Sequence, residues 1–508
     1  MASRPATTVK PESPPVASTG IPGLDVILHG GLPRDEMHLV QGTAGTGKTT
    51  IALHFLRAGA LAGEACLYLT LSQSKPHLER IARSHGWSMD GITVHELSPG
   101  TVMDRIAARQ TVLPTVEVEL DELFHDLREL VVKLKPRRAV IDSITALQLL
   151  AGSIARYHRE VVTLRQLFVE HGCTLVAMAN HPAELEKGSM PEVIFHPLSG
   201  CVIQLGQDPR PYGDVRRLLR VVKARGLPNN GGYHDLKIRT GGMEVYPRLG
   251  AYAMPEDKAY RRMASGVESL DRIVGGGLEG GTSCLLVGPS GAGKSSVATA
   301  YAEAAARAGG HAALFLFDER PETYIARSEG VGIPLRKQID AGRVMIRQID
   351  PGEIAPGEFA HQVHELVEQK GTKVVVIDSV IGYFAAMGTV DVLVTQLHEL
   401  LTYLTRRGVL LLMCGAQEGF MSMGTQDSVD VSYLSDTILV LGFYEVDANI
   451  HRCIAAVKKK HGQHDTGIFE LSVIDGRLAV GTQRLTGFHH LLLPDTKAVG
   501  GRAGEENG

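Results

Sequence analysis

Two short stretches carry residue types that do phosphate chemistry. Gly42-Thr43-Ala44-Gly45-Thr46-Gly47-Lys48-Thr49 matches the P-loop pattern G-x-x-x-x-G-K-[ST], and Gly288-Pro289-Ser290-Gly291-Ala292-Gly293-Lys294-Ser295 matches it again. Glycines at these spacings expose backbone N–H groups that wrap the phosphates of a nucleotide. The lysines Lys48 and Lys294 reach the outer phosphates, and the hydroxyls of Thr49 and Ser295 suit Mg²⁺. The expected cofactors are therefore ATP and Mg²⁺. Two copies, each between a strand and a helix, argue against a chance match.

Each loop needs a carboxylate on the metal side. Arg138-Ala139-Val140-Ile141-Asp142-Ser143 and Val374-Val375-Val376-Ile377-Asp378-Ser379 are apolar strands ending in Asp at a similar distance after each loop. Asp142 and Asp378 are the expected metal-side residues. Hydrolysis also needs a base or a water-orienting group, which comes from the strand after the P-loop helix. The second half has Asp318-Glu319 there, and a carboxylate facing the γ-phosphate can polarise a water or a hydroxyl. The first half has Ser72-Gln73, neither of which is a base; Gln73 can only orient a water. Asp318, Glu319 and Lys294 are thus the expected catalytic residues, and the first site is expected to hold ATP with slow hydrolysis or none.

The positioning elements also repeat. Ser18-Thr19-Gly20-Ile21-Pro22-Gly23-Leu24-Asp25 precedes the first loop, and Ala264-Ser265-Gly266-Val267-Glu268-Ser269-Leu270-Asp271 the second. Apolar strands follow both P-loop helices at Cys66 to Thr70 and Ala313 to Phe317. Amphipathic helices come next, with stripes Leu120, Leu123, Leu127, Leu130, Val131, Leu134 and Phe359, Val363, Leu366, Val367. Further apolar strands run from Thr174 to Met178 and from Val409 to Met413. Such alternation predicts two tandem α/β domains, each a mostly parallel sheet with helices on both faces. The expected boundaries are a disordered tail at 1–16, domains at 17–250 and 251–487, and a second tail at 488–508.

Composition narrows the class. The 508 residues carry a formal net charge of −4, so no global field draws the chain to nucleic acid. There is no apolar run long enough to span a membrane and no apolar signal core in the polar, proline-rich start, so a cytoplasmic protein is expected. Six scattered cysteines without a C-x-x-C read as buried thiols rather than disulfides or a zinc site.

The repeated [ST]-G-[IV]-x-x-[LF]-D…G-G-L block, the P-loops, the V-I-D-S strands and their tandem order resemble the KaiC family. This family comprises circadian-clock ATPases and autokinases of the RecA-like superfamily. The likeness runs from about Ser18 to about Val480. It implies two tandem RecA-like P-loop domains, and a homohexamer with ATP at the subunit borders. In the family a K-x-R-G segment reaches a neighbour's γ-phosphate. Lys223-Ala224-Arg225-Gly226 resembles it in the first half. Lys459-Lys460-His461-Gly462 corresponds in the second, with His461 replacing the arginine and losing its planar fork. The resemblance thus adds Lys223, Arg225, Lys459 and His461 to the nucleotide set. Asp318-Glu319 matches the family's paired glutamates; Ser72-Gln73 departs from the N-terminal pair.

The family also autophosphorylates adjacent Ser and Thr before a [ST]-D-T-I strand. Here Ser432-Tyr433 precedes Ser435-Asp436-Thr437-Ile438, which leaves Ser432 as the implied phosphosite. Clock-type or signalling proteins are the implied partners. Two other readings share the nucleotide core. One is a RecA- or RadA-like DNA-dependent ATPase, against which stand the net charge and the lack of a basic stripe, a four-cysteine zinc module or a helix-hairpin-helix start. The other is a scaffold that ATP cements with little catalysis.

Overall fold

The computed structural model describes residues 14–97, 116–151, 153–180, 195–209, 213–252, 261–350, 352–387, 390–415 and 432–486. The chain divides into two compact units between Tyr252 and Ala253.

In the first unit β1 (Val16–Ala17) pairs antiparallel with β2 (Leu32–Pro33). Val16, placed in the tail by composition, thus belongs to the unit: Arg34 donates through its backbone N–H to Pro15 and through Nε to the Val16 carbonyl. The main sheet contains β3 (Met37–Gly42), β4 (Cys66–Thr70), β5 (Ile92–Glu96), β6 (Arg138–Asp142), β7 (Thr174–Asn180), β8 (Cys201–Asp208), β9 (Arg216–Ala224), β10 (His234–Arg239) and β11 (Gly242–Tyr246). Its order is β11-β10-β9-β8-β3-β7-β6-β4-β5. The six strands from β8 to β5 are parallel, and β9, β10 and β11 extend the sheet antiparallel.

The second unit repeats this plan. β12 (Arg262–Met263) and β13 (Leu278–Glu279) form the small ribbon. The sheet comprises β14 (Ser283–Val287), β15 (His311–Leu316), β16 (Val344–Gln348), β17 (Thr372–Asp378), β18 (Leu410–Gly415), β19 (Thr437–Val446), β20 (Asn449–Lys459), β21 (Ile468–Ile474) and β22 (Arg477–Arg484), in the order β16-β15-β17-β18-β14-β19-β20-β21-β22. The first six in that order, β16 to β19, are parallel, and β20, β21 and β22 are antiparallel. Both sheets are thus the mostly parallel, tandem RecA-like arrangement; the antiparallel extensions are an addition that the apolar runs alone do not announce.

Burial on both faces explains the near-continuous apolar strands. In the first unit Leu67, Leu69, Ala139, Ile141, Leu175 and Ala177 pack on one face with the helices Val116–Leu134 and Ile154–Glu170. Cys66, Tyr68, Val140, Val176 and Met178 face the other way, against Ile51, Leu53 and Phe55 of the P-loop helix Lys48–Leu61. The parallel order places β7 between the P-loop strand β3 and the Asp142 strand β6, and β18 likewise between β14 and β17. The carboxyl ends of these strands, where ligands of open α/β sheets bind, therefore gather in each unit the loop and its own strand-end aspartate.

The repeated entry blocks have a structural role. Asp25 accepts from the Thr19 backbone N–H at 2.8 Å and from the Ser18 and Thr19 hydroxyls at 2.6 and 2.7 Å. Asp271 accepts from the Ser265 backbone N–H at 2.8 Å. These aspartates fasten the chain that leads into each domain. All six cysteines are buried free thiols. Among the described residues no helix is long and apolar enough to cross a membrane.

His38 gives the first unit an acid-sensitive joint. It is fully buried, its Nδ1 accepts from the Cys201 backbone N–H at 3.1 Å, and its Nε2–H donates to the Pro33 carbonyl at 2.8 Å. Burial holds its pKa down to about 4 against 6.5 for a free histidine. The unfolded chain therefore takes up a proton first as pH falls, so stability present above pH ~6.5 is lost towards pH ~4. One pH unit below the free value costs about 1.4 kcal/mol. The thermal midpoint of this unit is expected to fall between pH 7 and 5.5, and His38→Gln to flatten the decline; a flat wild-type profile would contradict the assignment.

Candidate nucleotide sites

The loop after β3 closes on two left-handed glycines, Gly45 (φ 78°) and Gly47 (φ 105°), and the loop after β14 on Gly291 (φ 80°) and Gly293 (φ 104°). Gly47 and Gly293 are the N-caps of the helices Lys48–Leu61 and Lys294–Arg307. The left-handed φ of Gly47 requires glycine there; a Cβ would also press on the end of the Met243 side chain, 2.5 Å away at Cε. Neither helix has an acidic residue in its first turn, which leaves the positive end of each dipole open to an anion.

The two lysines are clasped to their own loops. Lys48 Nζ donates to the Gly42 carbonyl at 2.7 Å and the Thr43 carbonyl at 2.9 Å. Lys294 Nζ donates to Gly288 at 2.7 Å and Pro289 at 2.8 Å. Burial lowers the pKa of both amines below the ordinary lysine value, and Asp142 and Asp378 work against that shift. Thr46 ties the first loop to itself through the Thr43 carbonyl, where the second loop has the buried Ala292.

The strand-end carboxylates expected on the metal side are near these loops, but their surroundings differ. In the first unit Asp142 Oδ2 accepts from the Tyr68 hydroxyl at 2.6 Å and from Thr49 Oγ1 at 3.4 Å. In the second, the Ser295 hydroxyl lies close to Asp378, whose Oδ2 is buried and has no hydrogen-bond partner among the described residues. Burial raises the Asp378 pKa above the usual carboxylate value; Ser295, Arg327 and Lys294 only moderate this. A buried carboxylate oxygen left open beside a hydroxyl, a P-loop lysine and an unopposed helix terminus fits Mg-ATP.

The expected bases differ between the units as well. Asp318 is exposed and accepts from Ser379 Oγ at 2.6 Å, which links it to the strand end that carries Asp378. Glu319 pairs with Arg327 at 2.6 Å. In the first unit Ser72 is exposed, and Thr70 Oγ1 holds both main-chain groups of Gln73 at 2.8 and 2.9 Å. The Gln73 side-chain oxygen is buried without a hydrogen-bond partner among the described residues.

The K-x-R-G segments are engaged within their own units. Lys223 Nζ donates to the His196 and Ser199 carbonyls, and Arg225 to the Pro197 carbonyl at 2.9 Å. The Lys459 side chain is fully buried: its ammonium bonds the Val274 and Gly277 carbonyls and pairs with Glu279 at 3.1 Å. His461 lies exposed just beyond β20. Ser432 opens a one-turn 3-10 helix, Ser432–Leu434, ahead of β19; its side chain lies outside the described residues.

Tyr68, Tyr324, Arg327 and Ser379 are absent from the sequence-based set. Aligning the repeats on Lys48 and Lys294 would have flagged the tyrosines, because Leu314 then stands at the Tyr68 position and Tyr324 at the Leu78 position. Tyr68 and Tyr324 are thus buried tyrosines that act on the strand-end aspartates from different elements of the two units.

Comparison with known proteins agrees with this architecture. The family model described as "ATPase: KaiC" matches residues 17–250 and 263–484. The "Circadian clock oscillator protein KaiC" of Prochlorococcus marinus (strain MIT 9313) is 26% identical over 464 residues, covering 90% of this chain and 91% of the relative. The protein of the same name from Acaryochloris marina (strain MBIC 11017) is 26% identical over 466 residues, covering 90% and 86%. The "Circadian clock protein KaiC2" of Synechocystis sp. is 24% identical over 488 residues, covering 92% and 84%. With two P-loop units that each match the family over nearly their whole length, the chain belongs to the KaiC ATPase family.

Proposed function

We propose that this protein is a cytoplasmic, Mg²⁺-dependent ATPase with divided sites, the first unit (17–250) binding ATP for assembly and the second (251–487) carrying out the chemistry. The observation that carries this reading is the contrast between the two sites. Asp318 and Glu319 stand near Asp378 in the second, whereas Ser72 and Gln73 take their places in the first and Tyr68 occupies Asp142. Thr49 with Asp142, and Ser295 with Asp378, would hold the metal. When bound, Mg²⁺ neutralises phosphate charge and orients the outer phosphates. The loop N–H groups and Lys48 or Lys294 grip the phosphates, and the buried walls of the sheet exclude water from the loop floor.

The second unit is also proposed to phosphorylate Ser432. The Ser432 hydroxyl oxygen attacks the γ-phosphorus, the bond to the β,γ-bridging oxygen breaks, ADP leaves, and Asp318 or Glu319 takes the hydroxyl proton. Support comes from the family relation and from Ser432 preceding the Asp436-Thr437-Ile438 stretch. ATP at subunit borders of a homohexamer, with Arg225 and His461 facing a neighbour, follows the same relation. Lys223 and Lys459 would instead fix the turns that present those residues, given the carbonyls they hold. A timing or signalling role with clock-type partners is the corresponding biological reading.

Incubation with Mg-ATP followed by mass spectrometry is expected to find phosphate on Ser432 and to lose it in Ser432→Ala. A protein that releases phosphate from ATP yet carries none on Ser432 would remove the kinase activity and leave the ATPase. The reading of the first unit as an ATP-held scaffold is favoured by Tyr68: Tyr68→Phe is expected to leave the first site's nucleotide bound while freeing Asp142.

A further inference from the structure

Glu319 and Arg327 form a two-pronged pair: Nη2 donates to Oε2 at 2.6 Å and Nε to Oε1 at 3.4 Å. The guanidinium lies over the Tyr324 ring, 4.8 Å from its centroid. Tyr324 is fully buried, and its hydroxyl shares a 2.7 Å hydrogen bond with Thr299 Oγ1, which donates to the Ser295 carbonyl at 2.6 Å. Arg327 is thereby braced against the first turns of the P-loop helix. Asp318 takes no part in this chain of contacts and is held from the other side by Ser379.

Three carboxylates, Asp318, Glu319 and Asp378, therefore stand at the strand ends where a triphosphate must approach. The field of Arg327 reaches both Glu319 and Asp378. In the first unit the positions of Asp318, Glu319, Tyr324 and Arg327 hold Ser72, Gln73, Leu78 and Ile81. The acids, their counter-ion and the ring beneath it are missing together, as a charge-balanced set would be.

We propose that Arg327 is a positioning residue of the second site, pinning Glu319 and cancelling its charge so that the γ-phosphate can settle beside it. This rests on the second site being the one that takes ATP. An unpaired Glu319 would repel a triphosphate more than a diphosphate, because only the triphosphate extends to the strand-end acids. Arg327 thus sets the preference of this site for ATP over ADP.

The test compares affinities of the fluorescent analogues mant-AMPPNP and mant-ADP in full-length protein carrying Lys48→Ala, which confines the signal to the second site. Arg327→Ala is expected to weaken mant-AMPPNP by about tenfold and mant-ADP by less than about threefold. Arg327→Lys should recover most of the loss. Adding Glu319→Gln to Arg327→Ala should restore the ratio, because the uncompensated charge is gone. An equal loss for both nucleotides, or no rescue by Glu319→Gln, overturns the proposal and leaves Arg327 a packing residue. Phosphate release is followed in parallel at nucleotide concentrations where light scattering shows the Lys48→Ala protein assembled: if that protein binds both analogues but never turns ATP over, the catalytic reading fails, while the affinity ratio still decides the role of Arg327.

Discussion

Lys294→Ala is expected to lower ATP turnover by about 100-fold or more, the scale on which removing one preorganised charge-stabilising donor acts. Its ammonium already stands at the mouth of the loop, held by the Gly288 and Pro289 carbonyls at 2.7 and 2.8 Å. Phosphate oxygens need only replace those carbonyls, so little reorganisation precedes binding. Lys48→Ala removes the same group from the first loop, where Ser72 and Gln73 offer no base. Its main effect is expected on assembly: ATP that binds the assembled form stabilises it by mass action, and weaker binding raises the ATP needed. Phosphate release at saturating ATP and light scattering across an ATP titration separate the two effects. A large turnover loss from Lys48→Ala with little from Lys294→Ala would invert the division of labour. A monomer with and without ATP would count against assembly altogether.

Lys459→Ala is expected to destabilise the second unit by about 3–5 kcal/mol. Its side chain is fully buried, and its partner Glu279 is about as well covered, at 10% exposure. Removing the ammonium leaves the Val274 and Gly277 carbonyls without their donor and the Glu279 carboxylate with only the more distant, half-exposed Arg262 at 3.9 Å, the costly half of a broken buried pair. For a unit of this size the loss corresponds to a thermal midpoint lower by roughly 10 °C. Lys460 is the internal control. It is nearly half exposed and pairs with Asp436 at 2.9 Å, so Lys460→Ala should cost no more than about 1 kcal/mol. Similar small shifts for both lysines, read by thermal denaturation, would show that burial of Lys459 does not matter. The comparison also bears on the K-x-R-G segment: the side chain of its first residue is buried in the unit, whereas Lys460 and His461 are open to solvent.

Much of the site was legible before any coordinates, because the chemistry is local. A P-loop is a contiguous run whose glycines, lysine and hydroxyl act through neighbouring backbone, and both copies close as their spacing requires. Asp142 and Asp378 were legible because each ends an apolar strand, and parallel strands with buried faces have few other polar residues. The sheet's antiparallel extension was less so. β20 to β22 mix exposed and buried residues along each strand and look like ordinary surface until their partners are known.

Sequence alone determined that this chain has two P-loop units of one family, that the first lacks an acid after its second core strand, and that the second keeps two. Only the tertiary structure decided which of those acids is neutralised. Asp318 and Glu319 are adjacent in the chain, yet one is bound by Ser379 from beyond the Asp378 strand and the other by Arg327 from the following helix. It alone decided that Lys459 is a buried counter-ion to Glu279 and that Tyr68 covers Asp142. The physical reason is the range of the forces involved. Backbone geometry and hydrophobic periodicity are written in neighbouring residues. Charge pairing and desolvation depend on groups brought together from distant parts of the chain, and these set what each carboxylate can do.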